Sequence, residues 1–334
     1  MKAVRFLGNG VCDVAEVPMP IRKKGEVLLK VMSSAVCGSE NPSYFAERTE
    51  GYMIPGHEMS GQVVEADEAS GFVPGDTVVA QIMIGCGECL YCKQETYTFC
   101  ENLEYGGSTH AQYCSMDEKC VIKAPSDIPY DTLVLLGGDT VGVANRAAKQ
   151  LDLAPGKLVY VSGAGPIGLG VIALLKHYGC YVVVSEPSKY RRDYAVEHAN
   201  ADKVLDPTTM DIKKVLREMT EGVGPEIIIE CSGNPKAQLE ALEFARCGGT
   251  VMLCGENYTE LKIIPSMHII HKELSVKGAF YFTAADFTDM VGMYREGLDV
   301  STLVSHRVPI EQAPEVIAEF AKGRTGKVIL HPQD

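Results

Sequence analysis

The chain has 334 residues, 46% apolar and 22% charged, an ordinary composition for a soluble globular protein and too long for one small core, so two domains are expected. The formal net charge of −13 argues against broad nucleic-acid binding, although it does not describe any local pocket. No apolar run approaches the roughly 20 residues of a membrane span, and the opening Met1-Lys-Ala-Val-Arg-Phe-Leu-Gly reads as a strand and not as a targeting segment, so a cytoplasmic protein without a membrane partner is expected.

The first 140 residues or so read as β-rich: short apolar runs at 26–31, 61–65 and 77–80 are separated by Gly and Pro turns such as Val73-Pro-Gly-Asp. Residues 139–151 have helical spacing, broken by Ala154-Pro-Gly. From Lys157 onward strand and helix signals alternate. Runs at 158–162, 181–185, 226–231, 250–254 and 274–278 are short and almost wholly apolar, as in strands buried on both faces of a parallel sheet. Amphipathic stretches at 166–178, 189–200, 211–220 and 235–246 lie between them, which predicts a doubly wound α/β domain. Helices near 287–296 and 313–322 and a last strand at 327–330 complete the chain.

Within the alternating half, Ser162-Gly163-Ala-Gly165-Pro166-Ile167-Gly168 is a G-x-G-x-x-G run that follows an apolar strand and opens a helix. Gly163 permits the tight turn, Gly165 lets the backbone approach a pyrophosphate, and Gly168 permits close helix–strand packing. Pro166 suits the first helical turn, and the helix N-terminus offers unpaired N–H groups to phosphates. Glu186 ends the next strand, where an acid holds a ribose 2′-hydroxyl; a carboxylate there favours NAD over NADP. The nearby Lys189, Arg191 and Arg192 either flank the adenosine or form a solvated helix face, with Arg191 the candidate cofactor contact.

Twelve cysteines are too few for a disulfide scaffold, but Cys86, Cys89, Cys92 and Cys100 fall within 15 residues. Four thiolates at that spacing suit a closed structural Zn²⁺ site with no position for substrate; an iron–sulfur cluster is the rival. A second set is dispersed: Cys37-Gly-Ser39 after an apolar strand, Gly56-His57-Glu58 twenty residues on, and Asp139 at a helix start. Each has an ordinary explanation alone, as buried thiol, hydrogen-bonded core pair or helix cap. Together they make a mixed S/N/O set for a catalytic Zn²⁺, which keeps an open position and promotes ionisation of an alcohol.

Here the chain resembles the zinc-containing medium-chain dehydrogenases, the group of alcohol, sorbitol, butanediol and threonine dehydrogenases. The likeness is carried from first strand to last by Ala35-Val-Cys37-Gly-Ser39, Pro55-Gly-His57-Glu58, the Cys86–Cys100 lobe, Val161-Ser-Gly-Ala-Gly-Pro-Ile-Gly168 and the strand at 272–278. The resemblance implies a GroES-like catalytic domain (1–142 and 283–334) with its zinc lobe at 86–100, a Rossmann domain (143–282), and a cofactor between them. It implies two zinc ions per chain, NAD, and a homo-oligomer, dimer or tetramer. Cys37, His57 and Asp139 would be catalytic zinc ligands, Glu58 a ligand at one stage or a supporting carboxylate, and Ser39 the hydroxyl that takes the substrate proton. Ser232 and Cys254 would sit at strand ends that meet the nicotinamide half.

The chain departs from the family pattern at Glu40, where Asp is usual, and at Pro42, where a His often extends the proton path. His110 stands where an apolar residue is usual and is expected to be a loop residue, with a polar substrate contact as the sharper reading. Glu40, Asn41, Tyr44 and His110 are candidate polar pocket liners. The expected activity is hydride transfer between a secondary alcohol (polyol, sugar, cyclitol or amino alcohol) and NAD(P). A redox-neutral epimerisation with retained NAD, and a non-catalytic zinc- or nicotinamide-binding protein, are the alternatives.

Overall fold

The computed structural model describes all 334 residues. The chain divides into two compact units: Met1–Asp139 with Phe282–Asp289 and Val304–Asp334, and Thr140–Tyr281 with Met290–Leu303.

The first unit is built on a seven-stranded sheet in the order Val304–Pro309, Lys327–His331, Glu26–Ala35, Glu58–Glu65, Thr77–Ala80, Val121–Lys123, with Tyr113–Asp117 also paired to Glu26–Ala35. Glu26–Ala35 is the axis. Its register sets Ala35 opposite Glu58 on one side and opposite Ile329 on the other. The segments just beyond these pairs, Cys37, His57 and Lys327, are therefore brought to one end of the sheet although they lie up to 290 residues apart in the chain. Asp131 ties the C-terminal strands to this axis: its carboxylate accepts from Ser33 Oγ (2.6 Å), Arg307 Nε (2.8 Å) and His331 Nε2 (2.8 Å). Tyr44 is buried against Phe6 in the core of this unit, not placed as a pocket liner.

The second unit carries a six-stranded parallel sheet in the order Lys203–Leu205, Tyr181–Ser185, Leu158–Ser162, Ile227–Glu230, Thr250–Leu253, Ser275–Gly278. In sequence order that is 3-2-1-4-5-6, the doubly wound dinucleotide-binding arrangement. Helices Pro166–His177, Lys189–Ala199, Ile212–Glu218 and Pro235–Phe244 connect the strands, and Tyr160, Val183, Leu205, Ile228 and Val251 pack a core beneath them.

Two details differ from the sequence reading. Residues 290–303 pack with the second unit: Met290, Val300 and Leu303 are fully buried, Tyr194 Oη donates to Thr302 O (2.8 Å), and Thr302 Oγ1 donates to His198 O (2.8 Å). The last strand is not buried on both faces, because Ser275–Gly278 is the outer edge of the sheet and all four residues are exposed; only Leu274 enters the core.

Helix Pro166–His177 crosses the start of helix Asp139–Ala148 so closely that a Cβ on Gly170 would lie 1.8 Å from Thr140 O. Gly170→Ala is expected to cost at least the ~1–3 kcal/mol of overpacking and to lower the thermal midpoint. Gly292, in helix Ala284–Arg295 with nothing near its missing Cβ, is the control: Gly292→Ala should stabilise by about 0.5–1 kcal/mol. Calorimetry of the two variants checks both signs.

Candidate active site

Cys37 ends the turn after the axial strand, His57 and Glu58 begin the next, and Asp139 opens the helix Asp139–Ala148. Their donor atoms all lie within 4.8 Å of one another, and all four side chains are about nine-tenths buried or more. Asp139 Oδ2 is 3.2 Å from His57 Nε2 and 3.6 Å from Cys37 Sγ. Ser39, exposed at the rim, donates to Cys37 Sγ at 3.3 Å.

Two charged side chains flank this cluster, Lys327 on one side and Glu40 on the other. Lys327 Nζ is 2.6 Å from Glu58 Oε1, and both side chains are 1% exposed. Glu58 Oε2 has no hydrogen-bond partner and lies where a Cβ on Gly138 would be (2.3 Å), so the glycine is what lets the carboxylate turn inward. On the other side Glu40 Oε1 is 3.2 Å from His57 Nδ1. Glu40 is therefore buried behind the imidazole and is not a pocket liner. Nor is His110 an ordinary loop residue or a substrate contact: it is 0% exposed, with Nε2 3.1 Å from Glu40 Oε2.

The electrostatics suit a cation. Burial pushes the Cys37 thiol up, and His57 opposes it. Burial likewise raises the Glu58 carboxyl despite Lys327. Burial would strip the proton from His57, yet the negative groups around it, led by Cys37 and then Asp139, hold its pKa well above the ordinary imidazole value. A thiolate and two carboxylates in a dry interior repel one another, and a divalent metal relieves that repulsion. The donor set fits Zn²⁺.

The cysteine lobe fits a second ion. The four sulfurs lie within 4.8 Å of one another and are free thiols. Cys86 Sγ is 4.0 Å from Cys92 Sγ, near the edge of about 3.8 Å of a tetrahedron with 2.3 Å Zn–S bonds. The N–H groups of Cys86, Cys89 and Cys92 each point at a sulfur at 3.4 Å. N–H groups of Glu88 and Cys89 hold the Cys86 thiol down at about 6, while burial and the neighbouring thiols push Cys92 up to about 12. Gly85 leaves the space that Cys92 Sγ occupies, since a Cβ there would be 2.7 Å from the sulfur.

In the second unit, Gly163 takes φ +95 after strand Leu158–Ser162, and a Cβ on Gly168 would stand 2.1 Å from Gly163 O. Gly165, Pro166 and Ile167 are part-exposed at the tip of the turn, with Arg191 Nη1 3.6 Å from the Cβ position of Gly165. Glu186 Oε2 accepts the Ala164 N–H (2.9 Å) and Oε1 the Ser188 N–H (2.8 Å), which fixes the carboxylate beside the glycine turn. Arg192 instead caps the carbonyls of Glu186 and Pro187 and pairs with Asp206. Ser232 packs against Gly163 and donates to Glu230, and the Cys254 N–H donates to Glu230 O (2.8 Å). This is a cradle a dinucleotide phosphate fits, with an open helix N-terminus at Gly165–Ile167 and the Arg191 guanidinium beside it.

Sequence reasoning missed Lys327 and misplaced Glu40 and His110. Lys327 did carry a signal: one cation opening the otherwise apolar run Val328-Ile-Leu330.

Residues 23–126 match the model of the alcohol dehydrogenase GroES-like domain and residues 166–296 that of zinc-binding dehydrogenases. The L-threonine 3-dehydrogenase of Pyrococcus furiosus is 32% identical, over 95% of this chain and 94% of that enzyme. Among solved structures, an alcohol dehydrogenase from Thermus sp. ATN1 is similar with a TM-score of 0.90 at 25% identity, covering 99% of both chains. Galactitol-1-phosphate dehydrogenase from Escherichia coli is similar with a TM-score of 0.86 at 26% identity, over 99% of this chain and all of that one (100%). The chain belongs to the zinc-dependent medium-chain dehydrogenase family. It is an oxidoreductase acting on alcohols, with zinc and a nicotinamide dinucleotide as cofactors. No helix is long and apolar enough to cross a membrane.

The Glu58–Lys327 pair has no solvent to fall back on. Lys327→Met should leave a buried charge and cost about 3–5 kcal/mol in denaturant unfolding. Glu58→Gln/Lys327→Met should lose less than the sum of the two single variants; strict additivity would mean the two groups act independently.

Proposed function

We propose that this enzyme oxidises a secondary alcohol within a polyol or amino alcohol, using NAD⁺ and a catalytic zinc held by Cys37, His57 and Asp139. The observation that carries this reading is the convergence of thiol, imidazole and carboxylate donors within 4.8 Å at one buried place. Bound there, zinc would supply the Lewis acidity that favours loss of the alcohol proton, and a bound nicotinamide would supply the hydride acceptor. The residues then have distinct duties. Ser39, exposed and 3.3 Å from Cys37 Sγ, accepts the hydroxyl proton and passes it to solvent, a route that does without a His at Pro42. Glu58, with Oε1 held by Lys327, keeps Oε2 as a fourth donor for the metal when the substrate position is open. Glu40 Oε1, 3.2 Å from His57 Nδ1 and with no hydrogen-bond partner of its own, is the acceptor that would take the Nδ1–H and leave Nε2 for the metal.

Cys86, Cys89, Cys92 and Cys100 hold a second, structural zinc that closes their loop. Gly163, Gly165 and Gly168 admit the pyrophosphate, Pro166 and Ile167 form the turn surface, and Arg191 faces the phosphates. Glu186 takes the adenosine ribose hydroxyls and disfavours a 2′-phosphate, which selects NAD over NADP. Ser232 and Cys254 meet the nicotinamide half. Residues 1–142 with 283–334 carry the chemistry, apart from the stretch 290–303 that packs with the dinucleotide unit. L-Threonine, named for relatives about 30% identical, is an amino alcohol of the proposed class and the first compound to test.

Initial rates of NAD⁺ and NADP⁺ reduction over L-threonine, polyols, cyclitols and simple secondary alcohols test the reading, with metal analysis on the same samples. The expected result is a chelator-sensitive rate with one polyhydroxy or amino alcohol, faster with NAD⁺. Two zinc ions per chain are expected, falling to one in Cys37→Ala, with the other lost in Cys89→Ala. A wild-type protein with zinc in the cysteine lobe alone discards the catalytic-zinc assignment.

We also propose that the active species is a homo-oligomer whose copies meet along Ser275–Gly278. That edge strand offers unpaired backbone groups, and Ile264, Met267, Ile270 and Val276 lie exposed on or near it. Light scattering should return at least twice the 36.2 kDa chain mass, reduced to one chain by Val276→Pro. A wild-type monomer at micromolar concentration ends this proposal.

A further inference from the structure

Gly56-His57-Glu58 is gripped on a side that none of the assigned ligands explains. His110 N–H donates to Pro55 O (3.0 Å), His110 O accepts from Val4 N–H (2.9 Å), and Thr109 N–H donates to Gly56 O (3.2 Å), so the backbone at 109–110 is locked against the segment that carries His57. Gly56 lets the two strands of chain close: a Cβ there would be 2.5 Å from His110 N and 2.6 Å from its Nδ1. The His110 ring bridges two buried groups. Nδ1 lies 2.7 Å from Ser34 Oγ and Nε2 3.1 Å from Glu40 Oε2. Ser34 Oγ in turn reaches Glu58 O (3.2 Å) and Thr109 Oγ1 (3.0 Å). Glu40 Oε1 faces His57 Nδ1 at 3.2 Å.

We propose that His110 is a positioning residue for the catalytic metal centre: braced by Ser34, it fixes the carboxylate of Glu40, which in turn fixes the ring and tautomer of His57. This rests on the reading of Cys37, His57 and Asp139 as metal ligands. The argument is one of donors and acceptors. An ionised carboxylate only accepts, so the ring nitrogens of His57 and His110 that face Glu40 both carry hydrogen. With Nδ1 turned to Glu40 Oε1, an oxygen with no other partner, Nε2, 3.2 Å from Asp139 Oδ2, is the nitrogen left for the metal. With only one of its oxygens engaged, Glu40 would be free to rotate about its last torsion. His110 supplies the second engagement from a place with no solvent, and Ser34 supplies the third corner. An apolar ring at 110 would leave Glu40 Oε2 buried without a donor, and the longer reach of Glu at position 40 would have no partner to meet. Glu40 and His110 are thus one device: two departures from the usual family residues that contact each other.

The test uses full-length protein with the lobe zinc in place. Cobalt(II) is titrated into the catalytic site, and the visible d–d bands and the cobalt dissociation constant are recorded for wild type, His110→Phe, His110→Gln and Ser34→Ala. His110→Phe should weaken cobalt binding by about 10–100-fold, the scale set by outer-shell partners of metal-bound histidines, and should shift the d–d bands. Gln, whose amide can donate to Glu40 Oε2, should restore most of both. In steady state kcat should fall more than KM changes. Ser34→Ala, which leaves His110 present, should move the bands in the same direction by less, and it serves alone if His110→Phe does not fold. Wild-type bands and affinity in His110→Phe, whatever its thermal midpoint, overturn the proposal and leave His110 a packing residue. Wild-type protein that takes up no second metal overturns the metal-centre reading itself, a failure visible before any variant is made.

Discussion

Three groups that can carry negative charge, Cys37, Glu58 and Asp139, are packed around one imidazole in the interior, and the first unit is organised by the need to make that tolerable. Two like charges 4 Å apart repel by about 4 kcal/mol even at an effective dielectric of 20. Lys327 compensates one of them through a contact that neither partner can exchange for water. His57 offsets part of the remainder, and a divalent metal would offset the rest, which is why the cluster makes chemical sense as a centre and little sense as a stretch of core. The sheet serves this arrangement directly. With Ala35 paired to Glu58 and to Ile329, the same central strand delivers thiol, imidazole and lysine to one end.

The four-cysteine lobe solves a related problem with a different outcome. All of its donors are thiols and they come from one loop, so an ion held there would have a closed shell and would serve only to fold the loop. The dispersed site draws three kinds of donor from three elements. Its geometry therefore depends on the whole unit, including Glu40, 3.2 Å from His57, and His110, 3.1 Å from Glu40. In the second unit the constraint is steric: glycines at 163 and 168 bring backbone close to backbone, and Glu186 is held beside them by two N–H groups.

Much of this was legible in the sequence because it is local. The Cys86–Cys100 spacing, the strand–glycine turn–helix around Gly163 and the alternation of apolar strands with amphipathic helices are each written within about 20 residues, and the structure contains all three. The dispersed set Cys37, His57, Glu58 and Asp139 was legible through residue type and chain order, and the structure brings its four members together.

What the tertiary structure alone decided is which side chains meet across long stretches of chain. Lys327 meets Glu58 across 269 residues, and His110 meets Glu40 across 70; no period or motif encodes such distances, only strand register does. Burial was decided there as well. His110 and Tyr44 look like surface polar residues in the sequence, but the packed sheet leaves them no water, and the 274–278 strand looks like core, but no further strand of this chain covers it. Composition and spacing record what a residue can do; the register and packing of distant elements settle what it touches, and a charge removed from water must take its partner from whatever the fold sets beside it.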